Sequence, residues 1–89
     1  MIEIGNYKLK NKLGMHARAA AAFVKVAEQF KSQIKVEYNG EAANGKSILG
    51  ILTLACPFGG ELTVKAQGDD AQQALKALEQ LIESKFGEY

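Results

Sequence analysis

The stretch Gln33–Asn44, QIKVEYNGEAAN, predicts a β-hairpin and sets the fold class. Asn39-Gly40 at its centre is the strongest short signal for a tight hairpin turn. The residues before the turn alternate between apolar and polar, which is the period of a half-buried strand. The apolar members of this alternation are Ile34, Val36 and Tyr38. Glu41–Asn44 is then a short returning strand, so the middle of the chain is predicted to be antiparallel sheet.

The chain before this hairpin predicts one strand and one helix. Ile2–Leu9 alternates as a strand does, with a shift of phase near Gly5 that indicates a β-bulge. Ala17–Phe30 is rich in alanine, the strongest helix former, and repeats apolar residues at helical spacing. The predicted core face of this helix comprises Ala20, Phe23, Val24, Ala27 and Phe30.

The chain after the hairpin predicts a helix, a strand and a longer helix. Ser47 is a good N-cap for a short helix over residues 47–54, and Glu61–Ala66 alternates as a strand. Asp69 or Asp70 then caps a helix that extends to about Phe86. The predicted core face of this last helix comprises Ala71, Ala74, Leu75, Leu78, Leu81, Ile82 and Phe86.

The resulting order is strand, helix, strand, strand, helix, strand, helix, in one domain over residues 1–89. It predicts an α+β fold in which a four-stranded antiparallel sheet carries three helices on one face. The same order overlaps the split βαβ pattern of ferredoxin-like domains, which include many binding modules. The order of elements therefore leaves the function open.

Composition excludes several classes of function. A net charge of +1 lacks the basic excess of a nucleic-acid binder, and Lys8, Lys10 and Lys12 are interpreted as a solvated strand end. Cys56 is the only cysteine, so no internal disulfide or thiolate metal cluster can form. Neither a signal peptide nor a membrane span is recognisable. We expect a cytoplasmic protein that uses no cofactor and no metal.

His16 and Arg18 are the candidate chemical pair. They are the only histidine and the only arginine, and His16 directly precedes the helix that begins near Ala17. A helix N-terminus carries free N–H groups and the positive end of the helix dipole, so it suits an anion. A phosphoryl group on the imidazole could rest against these amides and pair with Arg18, while Gly14 supplies the bend. The alternative is a surface histidine beside a solvated arginine.

Two motifs carry a family resemblance. Lys12–Arg18, KLGMHAR, closely resembles the active-site signature of the HPr family, the histidine-containing phosphocarriers of the bacterial phosphotransferase system. Gly45–Leu52, GKSILGIL, resembles the regulatory-serine motif of the same family, in the expected order and spacing. The likeness extends over the whole chain and implies an HPr-like open-faced β-sandwich.

The resemblance also implies a function. His16 would be phosphorylated, on Nδ1, by enzyme I, which draws the group from phosphoenolpyruvate, and an enzyme II A domain would then receive it. Arg18 and the backbone of Ala17 would hold the phosphate. Such a carrier has a phosphohistidine intermediate and no turnover of its own.

Ser47 has two interpretations. It is a helix N-cap whatever else it does, and the family adds phosphorylation by an HPr kinase/phosphorylase in some bacteria. A phosphate there would place negative charge beside a surface that docks partner proteins, and it would weaken contact with an acidic partner.

The predicted docking residues are Met15, Ile48, Leu49 and Leu52. The short helix can bury only one face, so some of its apolar residues must be exposed, as partner sites are. The alternative is that two of them pack beneath the Phe58 loop. We expect a monomer that binds enzyme I and enzyme II A domains.

Three other functions stay open: a nitrogen-branch carrier with a regulatory role, a regulator in which Ser47 is the main switch, and a binding module without phosphoryl transfer. Ala19 also departs from the family pattern, which has proline there, and alanine should leave the helix start less rigid. Cys56 is interpreted as a small buried apolar residue.

Overall fold

The computed structural model describes residues 1–88 and contains one sheet with the strand order β1-β4-β2-β3. All neighbouring strands are antiparallel. The strands are β1 Ile2–Lys8, β2 Gln33–Tyr38, β3 Glu41–Asn44 and β4 Glu61–Gln67. The helices are α1 Ala17–Ala27, α2 Ile48–Leu54 and α3 Ala71–Glu83, followed by a 3-10 turn, Lys85–Gly87.

One face of the sheet is buried beneath the helices. The inward residues of β2 and β4 include Val36, Leu62 and Val64, each 0% exposed, while their neighbours along the strand point to solvent. Alanines at the contact faces of α1 and α3, such as Ala20 and Ala74, let the helices lie close to the sheet. The predicted α+β arrangement is confirmed.

The hairpin between β2 and β3 has the predicted turn. Asn39 and Gly40 both have positive φ, 54° and 84°, as the two central residues of a type I′ turn do. Tyr38 pairs with Glu41 across it.

The predicted bulge in β1 is wrong. The register with β4 runs unbroken from Ile2 opposite Gln67 to Lys8 opposite Glu61. Ile2 and Ile4 lie on the exposed face, at 59% and 56%, whereas Gly5 and Tyr7 face the helices. A Cβ on Gly5 would collide with the Tyr7 ring, so this glycine makes room for the aromatic side chain and does not mark a bulge.

Two helix limits also differ from the prediction. α1 ends at Ala27, although Phe30 still packs against the core from the following turn. α3 ends at Glu83, and Lys85 and Phe86 then adopt left-handed backbone with φ of 60° and 56°. This turn reverses the chain, so Phe86 still reaches the core and Glu88 comes to lie at the start of α1.

Asp70 precedes α3 as predicted, but its side chain does not cap that helix. Its carboxylate instead accepts hydrogen bonds from the backbone N–H groups of Lys31 and Ser32, at 2.8 and 2.9 Å, and from the Ser32 hydroxyl. Asp70 thus ties the loop after α1 to the start of α3.

Candidate functional site

Gly14 shapes the loop that enters α1. Its φ is +66°, and a Cβ there would lie 2.8 Å from the Cys56 carbonyl oxygen and 2.9 Å from the Phe58 nitrogen. Both are backbone atoms of the loop between α2 and β4, so only glycine allows this approach. Met15 N–H donates to the same Cys56 carbonyl at 2.9 Å, which fixes the backbone directly before His16.

His16 is the N-cap residue of α1. Its backbone is extended, and its carbonyl accepts the first intrahelical hydrogen bond, from Ala20 N–H at 2.9 Å. The N–H groups of Ala17, Arg18 and Ala19 therefore have no acceptor within the helix. No acidic residue stands in the first turn. The helix start next to the imidazole can thus accept an anion.

Glu88 is the residue that contacts the imidazole of His16. Its Oε2 lies 2.5 Å from Nε2 of His16, whose side chain is 22% exposed. Its Oε1 accepts a hydrogen bond at 3.1 Å from the side-chain amide of Asn11, which is fully buried. The same Asn11 nitrogen donates to Gly14 O at 2.6 Å. Asn11 thus links the Gly14 bend to the carboxylate that contacts His16.

The charge of Glu88 determines which nitrogen of His16 is free. Burial opposes ionisation of the Glu88 carboxyl, but hydrogen bonds from Asn11 and His16, with the charges of His16 and Arg18, outweigh burial and lower its pKa. An ionised carboxylate only accepts, so Nε2 donates the hydrogen of this bond. In the neutral ring the lone pair then lies on Nδ1, an assignment made from this hydrogen bond.

Arg18 is exposed and lies beside the same carboxylate. Lys12, Leu13, Arg18, Gly87 and Glu88 line a shallow depression of about 420 Å³. The structure therefore brings the predicted pair, His16 and Arg18, together around Glu88. Glu88 and Asn11 could not be predicted as site residues, because no local pattern connects either residue to His16.

Ser47 caps α2 as predicted: its hydroxyl accepts from Gly50 N–H at 3.0 Å. The helix buries Ile51 and Leu54 and leaves Ile48 and Leu49 41% and 80% exposed. Leu52 is half-buried and packs against the core. Phe58 is itself 61% exposed.

Met15 and Cys56 lie inside the protein. Met15 is 5% exposed, so it supports the loop beneath His16 and offers a partner almost no surface. Cys56 is 2% exposed, and burial raises the pKa of its thiol to about 11. A thiol with such a pKa stays protonated at neutral pH and is a poor nucleophile.

Neither a metal site nor a membrane-spanning helix emerges from residues 1–88. In this part of the chain, no three histidine, cysteine, aspartate or glutamate side chains approach one another as metal ligands would. None of its helices is both long and apolar enough to cross a bilayer.

Known proteins are similar to this chain in sequence and in fold. The chain matches the family model described as the PTS HPr component phosphorylation site over residues 5–84. Phosphocarrier protein HPr of Cupriavidus necator is 45% identical over 78 residues, which are 88% of each chain. A crystal structure of HPr-C-His from Thermoanaerobacter tengcongensis is 48% identical, with a TM-score of 0.94 over 98% of both chains.

A second structure from that organism, an HPr dimer, is 51% identical with a TM-score of 0.79, over 92% of this chain and 94% of that chain. Because the family model spans most of the chain and these relatives share both its sequence and its fold, the chain belongs to the HPr family of phosphocarrier proteins of the phosphotransferase system.

Proposed function

We propose that this chain accepts a phosphoryl group on His16 from phosphorylated enzyme I and passes it to an enzyme II A domain. The main support for this proposal is the placement of His16: it is the N-cap of α1, and its Nε2 is held by Glu88. This arrangement leaves Nδ1 as the nitrogen that can attack. We place the exchange in the cytoplasm and assign the chain no cofactor.

In the proposed step the Nδ1 lone pair attacks phosphorus, and the bond from phosphorus to the donor protein breaks with its electrons staying on the donor. The transferred oxygens then face the N–H groups of Ala17 and Arg18 at the helix start. The Arg18 guanidinium can pair with them in a bidentate manner. Transfer to the acceptor reverses these events, so the protein carries the group and has no turnover of its own.

Exposure of the site supports transfer between proteins. The depression lined by Arg18 and Glu88 is shallow, and Ile48 and Leu49 are exposed on a helix that packs against α1. We propose these two residues, with Leu52 at the edge, as contacts for enzyme I and enzyme II A domains. Met15 drops out of the proposed contact surface because it is buried. We propose a monomer as the active form.

Regulation at Ser47 is a second, compatible role. Its hydroxyl is half-buried and caps α2 at the edge of the proposed contact surface. A phosphate at this position would add charge beside Ile48 and Leu49 and hinder docking. An HPr kinase/phosphorylase in the source organism would supply it.

The deciding experiment is incubation with enzyme I and phosphoenolpyruvate, followed by intact-mass analysis of the wild type and of His16→Ala. We expect one acid-labile phosphate on the wild type and none on the variant. His16→Ala should fold normally, because within residues 1–88 the imidazole hydrogen-bonds only to Glu88 and does not cap the helix. Circular dichroism checks the fold of the variant.

An unphosphorylated wild type, with an enzyme I of proven activity from the same source, would contradict the proposal. The same assay with a nitrogen-branch enzyme I tests the alternative function. Faster phosphorylation by that enzyme would assign the chain to the nitrogen branch.

A further inference from the structure

A second depression adjoins the His16 site and is rimmed by lysines. It measures about 670 Å³ and shares Lys12 with the depression beside Arg18. Its rim carries Lys8, Lys10, Lys12 and Lys85, and its floor is formed by Leu9, Phe58 and Gly59. We call it the lysine depression.

Positive charge is concentrated here beyond what the composition requires. The chain has eleven basic residues and a net charge of +1, and four of its lysines surround this single depression. Among the residues that the structure describes, only Lys10 of the four has an ion-pair partner, Glu83 at 2.5 Å. Lys8, Lys12 and Lys85 are exposed and form no ion pair within residues 1–88.

Phe58 adds an apolar element to this basic rim. It is 61% exposed although its loop is fixed by two backbone hydrogen bonds, from Gly59 N–H to Leu9 O at 2.8 Å and from Leu9 N–H to Gly60 O at 2.9 Å. An aromatic side chain held in solvent by an ordered loop is typical of the centre of a protein interface.

The backbone around Lys85 is also unusual. Lys85 and Phe86 are consecutive non-glycine residues with positive φ, a conformation that clusters at functional sites because it must be stabilised by the surroundings. The same turn directs Lys85 to the lysine depression and Glu88 to His16. The same turn thus contributes to both the lysine depression and the His16 site.

We propose that the lysine depression is a docking surface for an acidic segment of enzyme I, next to the site of phosphoryl transfer. This proposal rests on the proposed function and extends its contact surface from α2 to the end of β1 and the Phe58 loop. Charge complementarity would raise the rate of encounter, and an apolar side chain of the partner would cover Phe58. The shallow, open form of the depression favours a protein surface over a small anion.

The test measures the second-order rate constant for phosphorylation by phosphorylated enzyme I at several salt concentrations. The double variant Lys8→Gln/Lys85→Gln removes two rim charges and leaves His16 and Arg18 intact. Its matched control, Lys31→Gln/Lys76→Gln, removes two exposed lysines that line neither depression. Phe58→Ser tests the apolar floor separately.

We expect the rim variant to react about tenfold more slowly than the wild type at low salt and with a weaker salt dependence, because steering depends on charge. The control should react within about twofold of the wild type. Phe58→Ser should lower the affinity for enzyme I without changing the salt dependence.

Equal rates for the rim variant and its control, with a wild type that is phosphorylated normally, would overturn this inference and leave the proposed function standing. Titration with inorganic phosphate, followed by NMR, tests the alternative that the lysine depression binds a small anion. Saturable shifts at Lys85 and Phe58, with unchanged rates for the rim variant, would make the depression a small-anion site and overturn docking. A wild type that enzyme I cannot phosphorylate would remove both proposals.

Discussion

The carboxylate of Glu88 contacts Nε2 of His16 at 2.5 Å, although 72 positions separate the two residues in the sequence. The contact depends on the left-handed turn at Lys85 and Phe86, which brings the chain back to the start of α1. The carboxylate holds one ring nitrogen and thereby leaves the other for chemistry. This relationship gives Glu88 a positioning role that can be separated from the chemistry of His16.

Glu88→Ala should slow phosphorylation of His16 by about tenfold, the kinetic equivalent of losing one hydrogen bond of ordinary strength. The ring would lose the acceptor that fixes its orientation and its tautomer. Rapid-quench kinetics with phosphorylated enzyme I measures the rate. ¹⁵N NMR of the imidazole nitrogens should show a smaller share of the Nε2–H form in the variant.

Glu88→Gln is the matched control, because its side-chain carbonyl can still accept from Nε2. It should retain most of the rate and most of the Nε2–H tautomer. If Glu88→Ala reacts as fast as the wild type and its ring nitrogens are unchanged, Glu88 has no positioning role.

Ser47→Asp should weaken binding to enzyme I by about tenfold while the stability of the protein stays close to that of the wild type. Aspartate is as good an N-cap as serine, so the bond to Gly50 N–H is preserved. The added charge lies beside Ile48 and Leu49. Isothermal titration with enzyme I gives the affinity, and urea denaturation gives the stability.

Ser47→Asn separates charge from capping, since asparagine caps equally well and is neutral. It should bind enzyme I as the wild type does. Ser47→Ala should lower the free energy of unfolding by about 1 kcal/mol through loss of the cap. Equal affinity of Ser47→Asp and Ser47→Asn would refute the idea that α2 docks an acidic partner.

Local patterns predicted the elements and the parts of the site that are local. The hairpin turn at Asn39-Gly40, the Ser47 cap and the position of His16 at a helix start each depend on a few adjacent residues. The bulge in β1 was predicted wrongly, because the alternation of Ile2–Leu9 does not show which face of the strand is buried. The exposure of Ile2 and Ile4 follows from the register with β4, which the sequence of β1 does not contain.

The roles of Glu88, Asn11 and Asp70 could not be predicted for the same reason. Each acts through a contact between segments far apart in sequence: Asn11 with Glu88, Glu88 with His16, and Asp70 with the loop after α1. Asp70 even precedes a helix, so the local rule assigned it a cap that its side chain does not form.

Asp70→Asn should lower the melting temperature at pH 7, and the difference from the wild type should shrink as the solution is acidified. The hydrogen bond from the Ser32 hydroxyl, with those from the backbone N–H groups of Lys31 and Ser32, lowers the pKa of Asp70 below its usual value. The stabilisation is therefore complete above the unfolded pKa, about 4, and is lost as pH falls through the lower folded pKa.

Thermal unfolding between pH 2 and pH 7 measures this difference. Asp69→Asn is the matched control, because Asp69 is exposed and accepts no hydrogen bond from the residues that the structure describes. It should leave the melting temperature nearly unchanged at every pH. If the melting temperature of Asp70→Asn stays below that of the wild type by the same amount down to pH 2, the carboxylate charge of Asp70 does not contribute to stability.

Gly14→Ala should cost more stability than Gly40→Ala, although both glycines have positive φ, 66° and 84°. A Cβ on Gly40 meets no atom within 4 Å, so that variant bears only the cost of left-handed backbone, about 1–2 kcal/mol. At Gly14 the Cβ would lie 2.8 Å from Cys56 O and 2.9 Å from Phe58 N, and relieving this overlap adds about 1–3 kcal/mol. Urea denaturation of the two variants measures the difference.

Because Met15 N–H is bonded to the same Cys56 carbonyl, the displaced loop would also carry His16 away from Glu88. Gly14→Ala should therefore lose phosphorylation rate under conditions where it is still folded, while Gly40→Ala keeps it; equal rates would show that the Gly14 bend does not position His16.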